Sequence, residues 1–77
     1  MKILVNKEDV FRTRGNNMAI GATTSGYSLE YSVDNEHFTM YGDGPIPANE
    51  ALLISEAVSG LYVRLKGNTD DGVIVRF

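Results

Sequence analysis

The chain contains no cysteine and no tryptophan, one histidine and two prolines among its 77 residues. Without cysteine there is no disulfide and no thiolate-bound zinc to staple a small domain. This absence fits a reducing compartment. With His37 as the single histidine, any zinc site or catalytic dyad would have to be built from carboxylates. No apolar run approaches the roughly 20 residues that a membrane helix needs. The opening "MKILVNKEDV" has only a short apolar stretch, unlike a secretory signal. A soluble chain without membrane contact is expected.

A concentrated charge of either sign is also missing. Seven Lys and Arg against ten Asp and Glu give a formal net charge of −3, and no run of like sign occurs. The nearest approach to a basic patch is Lys7, Arg12 and Arg14, interrupted by Glu8 and Asp9. General nucleic-acid binding needs a concentrated basic face, so no nucleic-acid partner is expected.

At this length the chain, 1–77, is a single domain. Such a domain buries only about 60% of the surface its unfolded chain exposes. Support from a neighbour or from self-association is therefore expected, including a homo-oligomer.

What the sequence does have is a period of two. In "GYSLEYSVDNEHFTMYG", Tyr27, Leu29, Tyr31 and Val33 alternate with polar residues, as in a half-buried strand. "DNE" supplies turn residues that tolerate the left-handed region. The return strand, His37 to Tyr41, puts Phe38 and Met40 on one face and Thr39 and Tyr41 on the other. "LYVRLK" and "VIVRF", joined by "GNTDDG", predict a second hairpin. "KILVN" and "MAIGATT" add weaker strands, and Pro45 and Pro47 mark a long turn. Residues 49–57 suit either a strand or a short helix capped by Asn49. The sum is an all-β fold of about seven short antiparallel strands. A small Ig-like β-sandwich, or a partly open barrel, follows, with residues 1–14 as a docking arm or edge strand. The predicted core is Leu29, Val33, Phe38, Leu53, Val63, Leu65 and Val75.

Chemistry-bearing clusters are few. "NTDDG" (68–72) offers several oxygens to calcium but lacks a closing bidentate Glu, and the same letters describe a β-turn. Glu30, Asp34 and Glu36 share a hairpin whose outer face is expected to be wet, so their acidities should be ordinary. The serines sit in no nucleophile elbow, and "GDG" is not a phosphate loop. No enzymatic activity, metal or cofactor is expected.

The aromatic residues carry more. Tyr41 and Tyr62 fall opposite the apolar residues of their strands, and Arg64 shares the face of Tyr62. Tyr with Arg is the mix enriched in protein interfaces, although cross-strand bracing would use the same residues. Tyr41, Tyr62 and Arg64, with Arg12 and Arg14 of the N-terminal arm, are the candidate partner-binding residues.

The run "YSLEYSVDNEHFTMYG", followed by "IPANEALLI" and "GLYVRLKGN", resembles Ig-like accessory β-domains of tailed-phage virions, such as capsid decoration proteins and fibre domains. The resemblance covers Gly26 to Phe77. It implies a non-enzymatic structural role, attachment to a capsid or other repetitive assembly, and location in the virion after assembly in the host cytoplasm. The alternatives are a carbohydrate-binding or protein-ligand-binding module, using Tyr41, Tyr62, Asn68 and Asp70 for sugar, or an inhibitor of a host enzyme.

Overall fold

Alternating side chains need a core on one side only, and two such sheets can supply it for each other. The computed structural model describes residues 1–15, 17–55, 58–67, 69–70 and 72–77. Eight strands are present, one more than the seven expected, and there is no helix among the described residues. They are β1 (Lys2–Val5), β2 (Val10–Arg12), β3 (Met18–Ile20), β4 (Ser28–Ser32), β5 (Thr39–Met40), β6 (Leu52–Ile54), β7 (Tyr62–Lys66) and β8 (Val73–Arg76).

They form two four-stranded sheets, ordered β1-β8-β3-β6 and β2-β7-β4-β5, with every pairing antiparallel. This is not the immunoglobulin order, in which the first two strands share a sheet. Here β1 and β2 lie in different sheets. The pairs β1–β8, β2–β7, β3–β6 and β4–β5 are nested, as in a long hairpin folded over on itself. That is the strand order of an eight-stranded jelly roll.

Among the described residues, only β4–β5 is a hairpin between consecutive strands. The second hairpin predicted from "LYVRLK" and "VIVRF" does not form, because β7 and β8 belong to opposite sheets. Val63 and Leu65 share the buried core with Val73 and Val75 from opposite sheets instead. Asp70, on the crossing between them, is held by Thr24: the Thr24 N–H donates to Oδ2 at 2.8 Å and its hydroxyl to Oδ1 at 2.6 Å. The Thr69 N–H donates to Ser25 Oγ at 3.2 Å.

The core draws on both sheets. Val5, Met18, Ile20, Val73 and Val75 come from the first, Phe11, Leu29, Val63 and Leu65 from the second, and Tyr27 from the isolated bridge to Ile46 just before β4. Three predicted core residues lie elsewhere. Val33 is 80% exposed and Leu53 79% exposed, while Phe38 is half-buried on the outside of the second sheet.

The "DNE" turn explains Val33. The Ser32 hydroxyl accepts from the N–H groups of Asp34 and Asn35, and Asp34 Oδ1 accepts from those of Glu36 and His37 at 2.9 Å. Asn35 takes a left-handed φ of 63°. The alternation therefore stops at Ser32, and Val33 is turned outward. On the return, Tyr31 pairs with Thr39 and Glu30 with Met40, so Met40 lies outside with Glu30. Tyr41 lies on the core side, the reverse of the predicted arrangement. Residues 52–54 of the ambiguous 49–57 segment are strand, whereas Glu56 and Ala57 lie outside the described residues.

Candidate docking surface

The register of β2, β7 and β4 puts Arg12 beside Tyr62, and Val10, Arg64 and Glu30 in the next row. These side chains are engaged with one another. The Arg12 guanidinium lies 4.4 Å over the Tyr62 ring centre, and its Nη2 donates to the Gly60 carbonyl at 2.9 Å. Arg64 pairs with Glu30 at 2.7 Å and lies 3.9 Å over Phe38. The structure thus brings Arg12, Tyr62 and Arg64 together in an internally braced face.

It does not bring Tyr41 or Arg14 to them. Arg14 stacks 5.5 Å over Phe77, which meets Phe11 edge-on at 6.5 Å between ring centres. Tyr41 lines a cavity of about 270 Å³ between the sheets, with Tyr31, Ile54 and Val58 on its walls.

The other sequence candidates are likewise occupied. His37 Nδ1 lies 2.7 Å from Asp34 Oδ2. The Asp34 carboxyl is held well below the usual carboxylate range, first by the His37 N–H, then by the His37 ring, the Ser32 hydroxyl and the Glu36 N–H. Asp34, Glu36 and His37 could each offer a metal-ligand atom within 4.8 Å of the others, but all three are exposed. Asp70 is lowered by the Thr24 hydroxyl and N–H. Both Asp70 oxygens and the Tyr62 ring face therefore already have partners, which disfavours the sugar site. Asn68, also proposed for sugar, and most of the calcium reading of 68–72 depend on residues outside those described. Burial pushes the Tyr27 phenol up to about 12.

Sequence reasoning missed the outer face of the first sheet. Lys2 pairs with Arg76 and Leu4 with Ile74, and Ala19 stands between Arg76 and Leu53. Their neighbours Ile3, Val75, Ile20 and Leu52 point inward. The face therefore presents Leu4 (61% exposed), Leu53 and Ile74, with Lys2 on edge strand β1 and Arg76 beside it on β8. A signal was present. Each of its four strands contains an unbroken apolar triplet: Ile3-Leu4-Val5, Met18-Ala19-Ile20, Leu52-Leu53-Ile54 and Val73-Ile74-Val75. No strand of the second sheet does. Antiparallel strands with one wet face alternate apolar and polar residues, yet these triplets put Leu4, Leu53 and Ile74 on a face that the described residues leave exposed.

No family model, curated protein or solved structure matches the chain.

Proposed function

We propose that this is a non-enzymatic interaction protein that docks onto a larger protein assembly through the outer face of its first sheet. One observation carries the reading: each strand of that sheet holds an apolar triplet whose middle residue, Leu4, Ala19, Leu53 or Ile74, faces outward, away from the core. Exposed Leu4, Leu53 and Ile74 are the residues that a partner would cover. The braced face with Tyr62 and Arg64 becomes the solvent side.

The assembly proposed is a phage virion, with the protein as a capsid accessory. The jelly-roll strand order is used by viral capsid domains among others, and this supports the choice by analogy alone. Size supports a repetitive partner. The Cα extents are 27 × 26 × 22 Å, so a whole face offers about 700 Å² against about 800 Å² per partner in a standard stable interface. Many equivalent sites would compensate for a modest single contact.

The test is mass spectrometry of purified particles from the host that carries the gene. The chain is expected in the particles at copy numbers in proportion to the shell protein, and Leu53→Asp is expected to leave a folded chain that no longer copurifies. Absence of the wild-type chain from the particles would refute the virion reading.

A further inference from the structure

The docking reading leaves the chemistry of the partner open, and the cations on the same face narrow it. Lys2 and Arg76 are direct cross-strand partners on β1 and β8. Both are exposed, and neither side chain has an ion pair, hydrogen bond or ring contact among the described residues. Like charges directly opposite each other weaken a ladder, so an acid at either position would serve the fold better. The outward positions are Lys2, Leu4, Ala19, Leu53, Ile74 and Arg76, and none is a carboxylate.

Resting on the docking reading, we propose that Lys2 and Arg76 form a carboxylate-binding pair. The partner is a protein surface that presents an Asp or Glu side chain between them, framed by apolar residues that cover Leu4, Ile74 and Leu53. The planar fork of the Arg76 guanidinium suits two parallel bonds to one carboxylate, with the Lys2 ammonium as a second donor.

Other occupants fit less well. A second copy joined by a two-fold axis would bring the same patch against itself. All its cations would then be buried without a counter-charge, which is strongly unfavourable. Nucleic acid binding rests on many phosphate contacts, and two cations supply few. A chain of net charge −3 with two basic residues on this face is drawn weakly to an anionic bilayer.

The experiment is an amide NMR titration of the full chain with two blocked peptides, one with a central Glu flanked by Leu and Val, the other with Gln in its place. The Glu peptide should shift the amides of Lys2, Leu4, Ala19, Leu53, Ile74 and Arg76. The Gln peptide should need at least about tenfold more for the same shifts. Arg76→Glu should abolish the response while raising the thermal midpoint, because the ladder pair becomes Lys–Glu, and Lys2→Glu should do the same. A residue with a purely structural role would not lose binding while gaining stability.

Equal response to both peptides on this face overturns the carboxylate pair and leaves the docking face standing. No shift from either peptide, or shifts elsewhere, also overturns the pair. Shifts on this face on concentrating the protein alone would assign it to a second copy. Co-sedimentation with phosphatidylserine vesicles, lost in Arg76→Glu, would assign it to lipid. Particle composition is measured independently, so a failed titration and a failed docking reading are told apart.

Discussion

Arg12 covers Tyr62, with its guanidinium 4.4 Å from the ring centre and tied to the Gly60 carbonyl. The contact fastens edge strand β2 to β7 from outside and occupies the ring face a ligand would use. Tyr62→Ala should therefore act on the fold. An exposed cation–π pair is worth about 0.5–1 kcal/mol, and for a domain of this size about 1 kcal/mol moves the melting midpoint by about 4–8 °C. A calorimetric scan should show a fall of that order, with attachment intact once corrected for the folded fraction. Attachment lost at an unchanged midpoint would return Tyr62 to the interface.

Leu65 and Leu53 look alike in sequence and sit in opposite surroundings. Leu65 is 3% exposed, and Leu65→Ala should cost about 2–5 kcal/mol, enough to leave so small a domain largely unfolded. Leu53→Asp and Val33→Asp place a charge in water and should stay within about 0.5 kcal/mol of wild type. Urea titrations of the three variants check the ranking.

The turn that follows β4 should contribute to stability in a pH-dependent way. Asp34 has its carboxyl acidity strengthened in the fold, chiefly by the His37 N–H. Its contribution is fully present above the unfolded value of about 3.9 and declines as pH falls below it. Asp70, bonded by Thr24, has the same sign. Melting midpoints should be lost progressively below about pH 3.9 from this source. Asp34→Asn should flatten that acid limb, and an identical limb in the variant would contradict the assignment.

Gly26 and Gly42 both take left-handed φ values, 72° and 80°, yet they differ in surroundings. A Cβ on Gly26 would stand 2.7 Å from the Ile46 carbonyl oxygen and 3.1 Å from the Ala48 nitrogen, whereas one on Gly42 meets nothing within 4 Å. Gly42→Ala should cost about 1–2 kcal/mol from conformation alone. Gly26→Ala should cost clearly more, because the 46–48 backbone must move and the Tyr27–Ile46 bridge opens. Equal midpoints would mean that the segment yields freely.

Local features of the fold were legible in the sequence. Asp34 and Asn35 mark the turn, Leu29 the core face of β4, and Val63 and Leu65 that of β7. Alternation says that one face is covered but not by which sheet, so 62–66 and 73–76 read as a hairpin although they face each other. Leu52-Leu53-Ile54 has no alternation to mark its inward side, and Leu53, expected in the core, faces outward while Leu52 and Ile54 pack inward. A shift of one residue reverses every side chain of a strand, which is why Phe38 and Met40 were assigned inward. The shared face of Tyr62 and Arg64 was visible, but the Arg12 that covers Tyr62 arrives from a distant strand. Lys2 and Arg76 become neighbours only when the first and last strands pair.

That nested pairing also sets an order of events. The β4–β5 hairpin closes the shortest loop, and each surrounding ladder spans more chain. Closing longer loops costs more entropy, and folds dominated by distant pairings lie at the slow end of small domains. Zippering is thus expected to run from the middle outward, with β1–β8 closing late. During synthesis β8 follows all its partners, so the Lys2–Arg76 pair is among the last contacts that can form. Without β8 the first sheet loses the strand that joins β1 to β3, so Lys2 stands without its cross-strand partner and the outer face cannot assemble.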